Sequence, residues 1–512
     1  MINMLAAAWV GTVLVSGALD ILAKPKVAPW HQRTARPVLL HIATVTWLFI
    51  LFLSLWGRAW FALVCTVALL GLLVAVNNAK FKALREPVVF SDLALFAQSI
   101  RHPRLYFPYL SWLQLLAVVP AVALFALTFW LDSALNQISD VVLGLVWIAL
   151  FLVQLWLARG MKVAINPERD QAQHGFFCVF VTYLLNGLSL REIRHVQAQL
   201  SASPYANISI RTSDKSGPEK ADAPDVVVVQ SESFFDIRKA GLSIAPGLLE
   251  HFDALKKSGI CSGTLAVPAW GANTMRTEHA FLSGLPNVAL RYASFYPYAF
   301  VTGATPAMPH AFQSQAYRCT AVHPYSSEFF LRHKVFPRLG FDEFVDEANF
   351  ADAAHEGPYI SDAAVTDWVI KRLNQPADQP QFLFVITMEN HGPLHLEKAT
   401  AIEADALYQR PNGQAIDDLT VYLRHVANAD KMLGQLQNFL AHRQRKTLLC
   451  FYGDHVPGMG HVYDTLNANP QNSDFLIWGN HEIAIKRSES PDAQCLTPEQ
   501  LGLSLAQIAG VL

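Results

Sequence analysis

Apolar residues fall into two regimes along the chain. Before position 160 they form long unbroken runs, and four stretches, about 37 to 57, 59 to 77, 111 to 131 and 139 to 158, have the ~20 mostly apolar residues that a bilayer crossing demands. A weaker run covers about 3 to 22; it has no basic region before it and no small-residue cleavage site near its end, so a retained helix is expected rather than a cleaved signal peptide. Between the second and third strong runs, "LREPVVFSDLALFAQSIRHPRLYFPYL" mixes Pro, aromatics and scattered charge, which predicts an interfacial segment over 81–110.

The pattern changes after "SASPYANISIRTSDKSGPEKADAPD", a polar stretch rich in Ser, Pro and charge that reads as a linker following helices from about 170 to 200. From 225 onward short buried-type runs ("DVVVVQ" at 225–230, "FLFVITM" at 382–388, "TLLCFY" at 447–452, and a run at about 475–478) alternate with amphipathic stretches such as 416–441. Such alternation predicts an α/β domain with a largely parallel sheet covered by helices. The expected organisation is a transmembrane domain of about five helices at 1–160, juxtamembrane helices and linker at 161–224, and a folded domain at 225–512.

Composition sharpens this division. The chain of 512 residues is 52% hydrophobic and only 16% charged, well below the ~25% of soluble proteins. A net charge of -2 and the lack of basic runs interleaved with aromatics argue against nucleic acid as a partner. The six cysteines contain no C-x-x-C pair; outside the cytoplasm Cys261 and Cys319 could bridge. Lys24, Lys26, Arg33 and Arg36 crowd the first loop and Lys80, Lys82, Arg85, Arg101 and Arg104 the third, against Arg58 alone in the second. The positive-inside rule then puts loops one and three, and with five spans the C-terminal domain, on the cytoplasmic side.

In open α/β sheets ligands bind beyond the carboxyl ends of strands, so the residues that end each run are informative. "DVVVVQSES" delivers Glu232, "FLFVITMENHGP" delivers Asn390 and His391, and "LLCFYGDH" delivers Asp454 and His455. Two carboxylates and an imidazole suit a hard-to-borderline divalent ion. In "VPAWGANTMRTEHAFLSGLP" a Gly-Ala-Asn turn feeds a helix starting near Thr274. An alcohol there would meet the positive end of the helix dipole, where phosphates bind, and metal coordination could make it a nucleophile. Each residue also has a plain use: a Thr before a helix commonly caps it, a Glu after a strand is commonly solvated, and an Asp-His pair commonly bonds within its own loop.

Taken together, several apolar spans, a strand ending in "SES", a Thr opening a helix, an "ENHGP" strand end and "YGDH" resemble the lipoteichoic acid synthase and phosphoglycerol transferase family, membrane-anchored members of the alkaline phosphatase and sulfatase superfamily. The likeness runs over nearly the whole chain and includes "EPVVFSDL". It implies that Glu232, Thr274, Asp454 and His455 hold one divalent ion, Mn2+ with Mg2+ or Zn2+ as alternatives, and that Thr274 is also the nucleophile. It implies further that His323 and Arg332 in "VHPYSSEFFLRH", with His391, line a phosphoglycerol pocket. Where the lipoteichoic acid enzymes have Trp two residues before that Arg, this chain has Phe330, which keeps a ring and loses its N–H donor.

The implied reaction moves the glycerophosphate headgroup of phosphatidylglycerol to an envelope glycan or a glycerophosphate polymer, with the catalytic domain on the extracytoplasmic side of a bacterial inner membrane. That side conflicts with the loop charges, unless the third-loop cations sit in an interfacial segment that binds anionic headgroups. A phosphoethanolamine transferase drawing on phosphatidylethanolamine is the nearest alternative. Sulfate ester hydrolysis is disfavoured, because C-x-P-x-R is absent and Cys261 lies in "CSGTLAV". A transporter or non-enzymatic membrane sensor would be expected to carry ionisable residues inside its spans, and these are nearly missing.

Overall fold

The structure, a computed structural model, describes residues 2–94, 123–135, 139–208, 223–480 and 494–512. The chain divides into two units, Met1–Ile193 and Arg194–Leu512.

In the first unit the helices Ile2–Leu22, Ala35–Trp56, Ala59–Leu84 and Asp140–Arg159 are long and apolar enough to cross a membrane. The helices Phe176–Gly187 and Leu190–Ser201 meet that test only together and are bent by 64° at their junction. Gly57, at φ 63°, ends the second helix, and its N–H bonds the Leu53 carbonyl. The third helix runs past the expected 77 to Leu84 because Asn77, polar and buried, finds partners on both sides. Its amide donates to the Lys24 carbonyl at 2.7 Å and its Oδ1 accepts from the Val88 N–H at 2.9 Å.

Most of the expected span 111–131 lies outside the described residues, with only 123–131 seen as helix. Of the expected interfacial segment 81–110, residues 95–110 lie outside them as well. Its described part is no simple interfacial stretch. Residues 81–84 close the third helix, Val88, Val89 and Phe90 are buried, and Lys80 pairs with Glu86 and Asp92, both at 2.7 Å.

The spans are also less free of ionisable groups than their hydropathy suggests. Asp20 and His41 are buried inside them, Asp20 paired with Arg33 at 2.7 Å and His41 bonded to Ser16 at 2.9 Å.

Among its described residues the second unit has ten strands: β1 (Asp225–Ser231), β2 (Cys261–Leu265), β3 (Arg318–Val322), β4 (Glu343–Val345), the hairpin pair β5 (His355–Glu356) and β6 (Tyr359–Ile360), β7 (Gln381–Ile386), β8 (Thr447–Gly453), β9 (Ser473–Gly479) and β10 (Gln494–Leu496). Eight of them form one sheet in the order β10-β2-β9-β8-β1-β7-β3-β4. Among these described strands only β9 runs against its neighbours, so the sheet is largely parallel as expected.

β1 lies at the centre, Val228 opposite both Phe384 of β7 and Cys450 of β8. Buried on both faces, it needs the continuous apolar run that its sequence supplies. The period-two alternation divides the two faces. Val227, Val229, Leu383, Val385, Leu449 and Phe451 pack under the helices Glu250–Ser258, Asp362–Asn374 and Asp417–Ala441. On the opposite face Phe281 stacks on Phe384 and Tyr452, and Phe312 stacks on Phe382 at 4.3 Å.

The cysteines are all free. Cys261 on β2 and Cys319 on β3 are five strand spacings apart, roughly 24 Å at ~4.8 Å each, which rules out a bridge between them.

Strand β8 ends at Gly453 for a steric reason. A Cβ there would run into the Phe234 carbonyl oxygen, a backbone atom that cannot swing away. Gly453→Ala is therefore expected to destabilise the second unit by about 1–3 kcal/mol, read as a lower denaturant midpoint at unchanged slope. The same change displaces Asp454, so divalent-ion binding should weaken in parallel when titrated by calorimetry.

Candidate functional site

The carboxyl ends of β1 and β8 bring Glu232, Asp454 and His455 together, all buried, with ligand atoms within 4.8 Å of one another. His455 Nε2 lies 3.5 Å from Glu232 Oε1 and 3.4 Å from Asp454 Oδ2. Its Nδ1 faces the Val456 carbonyl at 3.2 Å, which places the ring proton on Nδ1 and leaves Nε2 as the lone-pair donor. Asp454 Oδ1 accepts from the Ser233 N–H at 2.8 Å and the His455 N–H at 2.9 Å. Asp454 Oδ2 is buried and makes no hydrogen bond among the described residues.

Burial, then the neighbouring Asp454 carboxylate, pushes the Glu232 acid up to about 8, against the opposing pull of His455, Ser233 and Arg332. Two carboxylates packed side by side out of water, one oxygen lacking a donor, and an imidazole nitrogen aimed between them are what a divalent cation would satisfy. The donor set fits such an ion.

Thr274 opens the ten-residue helix Thr274–Ser283 as expected. Asn273, left-handed at φ 69°, occupies the cap position, so Thr274 is the first helical residue and not the cap. Hydrogen bonds on both sides tie it to the segment after β8: the Gly271 N–H bonds the Val456 carbonyl at 2.8 Å, and the Thr277 hydroxyl donates to the Asp454 carbonyl at 2.7 Å. Thr274 thus lies on the segment bound to the Asp454 backbone, at the positive end of a helix buried along its whole length.

His323 and Arg332 lie on the connection between β3 and β4, Arg332 at the start of the helix Arg332–Arg338, and His391 follows β7. Arg332 is fully buried and grips Glu278 with Nε at 3.1 Å and Nη2 at 2.8 Å, while its Nη1 has no partner among the described residues. His323 follows β3; its Nδ1 faces the Ile386 carbonyl at 3.3 Å and its Nε2 is buried without a partner among the described residues. Burial, then Arg332, holds His323 well below the ordinary imidazole value. His391 is lowered mainly by burial, although its hydrogen bond to the Gly392 carbonyl and then Asp454 pull it back upward, and directions below the ordinary value favour the neutral form of both imidazoles.

Phe330 keeps its ring at 5.3 Å from the Arg332 guanidinium, so the cation–π contact survives without the indole. Phe330 and Leu331 both have left-handed backbones, at φ 54° and 61°, a costly conformation for non-glycine residues that is stored here beside the arginine. Asn390 is buried, its Oδ1 unpartnered among the described residues.

Sequence reasoning missed the polar layer behind these groups. Glu278, Gln230, Tyr298 and Tyr452 are buried and bonded to one another, although in sequence they read as helix-surface or strand residues. It also missed a second cluster behind "ENHGP". His425 Nδ1 meets Glu389 at 2.9 Å and its Nε2 meets Glu397 at 3.1 Å, while Glu389 Oε2 accepts from the Asp362 N–H at 2.6 Å. The only sequence signal for it is a charged residue midway along an apolar helix face.

A profile of the Sulfatase family matches residues 224–509. The capsular polysaccharide biosynthesis protein RkpI of Rhizobium meliloti (strain 1021) is 27% identical over 489 residues, 90% of this chain and 85% of that protein. A second protein of that strain, provisionally named for cyclic β-1,2-glucan modification, is 28% identical over 245 residues, 47% of this chain and 37% of the relative. Among solved structures, the integral membrane lipooligosaccharide phosphoethanolamine transferase A (EptA) of Neisseria meningitidis aligns over 99% of this chain and 95% of its own, with a TM-score of 0.57 at 12% identity. Its fold covers both units.

The His425 cluster gives a pH signature. Burial alone would lower His425, but hydrogen bonds to Glu389 and Glu397 outweigh it and push it up to about 9 from an ordinary 6.5. Between those values the folded state binds more protons than the unfolded, so this contribution is whole below pH 6.5 and is lost as pH rises through about 9. Thermal melts from pH 6 to 10 should fall steeply across that window in the wild type and more shallowly in His425→Gln.

Proposed function

Because the chain belongs to the sulfatase family, we propose that it is a membrane-anchored, metal-dependent phosphotransferase that moves the glycerophosphate headgroup of phosphatidylglycerol, through Thr274, to an envelope glycan or glycerophosphate polymer. The observation that carries this reading is the meeting of Glu232, Asp454 and His455 within 4.8 Å, beside the segment that holds Thr274 at a helix N-terminus. Glu232, Asp454, His455 and the Thr274 hydroxyl would hold a divalent ion, Mn2+ by preference over Mg2+ or Zn2+. Once bound, the ion would acidify the hydroxyl and neutralise phosphate charge.

In the first half-reaction Thr274 Oγ forms a bond to phosphorus and loses its proton, the phosphorus–oxygen bond to diacylglycerol breaks, and diacylglycerol leaves with a proton. In the second, an acceptor hydroxyl forms the new bond to phosphorus, gives up its proton and returns Thr274. Arg332 Nη1 and the helix N-terminus take the phosphate oxygens. His391 or His323, kept neutral by burial, can pass the proton to and from the exchanging oxygens.

Two neutral imidazoles suit the hydroxyls of a glycerol headgroup, whereas an ethanolamine ammonium would ask for a carboxylate. That chemistry favours phosphatidylglycerol as donor. The names of the two Rhizobium relatives favour a glycan acceptor.

We place the catalytic domain on the extracytoplasmic side. The third-loop cations that argue otherwise would bind anionic headgroups instead of reporting the side of the membrane.

Thr274→Ala is expected to fold normally and to lose headgroup transfer by on the order of 10^3 or more. Mass spectrometry of wild-type protein incubated with phosphatidylglycerol should find a glycerophosphate adduct on the peptide containing Thr274. Label from phosphatidylethanolamine in its place would assign the ethanolamine donor, and label on another residue, or an active alanine variant, would remove Thr274 from the reaction. A reporter fused after Leu512 should be active only outside the cytoplasm; activity in the cytoplasm would overturn the orientation.

A further inference from the structure

Glu278 lies four residues after Thr274, one turn along the same helix face. It is fully buried and accepts four hydrogen bonds, two on each carboxylate oxygen. Oε1 takes the Tyr298 hydroxyl at 2.5 Å and Arg332 Nε at 3.1 Å. Oε2 takes the Gln230 amide at 3.1 Å and Arg332 Nη2 at 2.8 Å. Gln230 is fixed in turn by the Tyr452 hydroxyl at 2.6 Å.

This fork leaves Arg332 with one buried nitrogen, Nη1, that has no partner among the described residues. A buried ion pair serving stability alone is poorly served by an orphaned donor, because its desolvation goes uncompensated. A site waiting for an oxyanion requires one.

We propose that Glu278 is the positioning residue of the transfer site, fixing the Arg332 guanidinium so that its free Nη1 meets the transferred phosphate. Because Glu278 and Thr274 share one helix, nucleophile and clamp hold a constant spacing. Phe330 and Leu331, in their left-handed conformations, deliver Arg332 to the fork from the other side.

The inference rests on the headgroup transfer proposed above, and the experiment separates the two. Full-length protein in phosphatidylglycerol liposomes is assayed as wild type, E278Q, R332Q, E278Q/R332Q and Y298F, with kcat, KM and thermal midpoint measured for each. If Glu278 acts through Arg332, E278Q and R332Q each lose on the order of 10^2 in kcat/KM and the double variant loses no more than R332Q. Y298F, which removes one hydrogen bond from the Glu278 carboxylate and leaves both of its bonds to Arg332, lowers the midpoint and stays within about threefold of wild-type activity. Additive losses, an E278Q enzyme within about threefold of wild type, or a Y298F loss as large as that of E278Q would overturn the proposal.

Should E278Q fail to fold, E278D, which keeps the charge with one methylene less reach, enters the same cycle. If wild type transfers no headgroup, the proposed function falls and Glu278 is judged by binding alone. Glycerol phosphate should then bind the Mn2+-loaded wild type and Y298F about tenfold or more tighter than E278Q and R332Q. Equal affinities, or no binding to wild type, overturn it.

Discussion

Two carboxylates that share one dry corner set the terms for the rest of the second unit. Glu232 and Asp454 end neighbouring parallel strands, and the parallel register that pairs Ser231 with Gly453 makes them adjacent. Out of water, like charges at this separation cannot both ionise without a cation. That corner suits a positive ion at the head of the central strands, and the surrounding features agree with it: the imidazole turned inward, the helix presenting its positive end, and the glycine that lets β8 stop against the Phe234 carbonyl.

The second consequence is a separation of duties. Seven strands point their carboxyl ends the same way, so the chemistry-bearing residues leave the sheet along one edge while the helices seal its two faces. The core is indifferent to what those ends carry. Behind the outermost groups lies a polar layer, Glu278 with Gln230, Tyr298 and Tyr452 on one side and His425 with Glu389 and Glu397 on the other, in which every charge has an opposite or a hydroxyl within reach.

Much of this was legible in the sequence because it follows from local rules. Continuous apolar runs betrayed β1, β7 and β8, and their abrupt ends pointed to Glu232, His391, Asp454 and His455. The Gly-Ala-Asn turn marked Thr274 as a helix start. What stayed hidden depends on pairing between distant positions. The helix Thr274–Ser283 carries Thr, Arg, Glu and His and is nevertheless buried throughout, since its partners lie far off in sequence. The reversed direction of β9 leaves no trace in a two-residue period. In the first unit Asp20 and His41 were passed over because hydropathy averages them away, although burial with Arg33 and Ser16 makes them fixed points of that bundle.

The two left-handed residues before Arg332 have an evolutionary implication. Each L-residue in that region carries roughly 1–2 kcal/mol of backbone penalty, which glycine would largely relieve. Selection for robustness alone would drift toward glycine at 330 and 331, loosening the very wall that orients the guanidinium. Phe and Leu at these positions hold the rigidity of the turn beside Arg332 above global stability, and on the proposed reaction this is where stability and turnover would pull against each other.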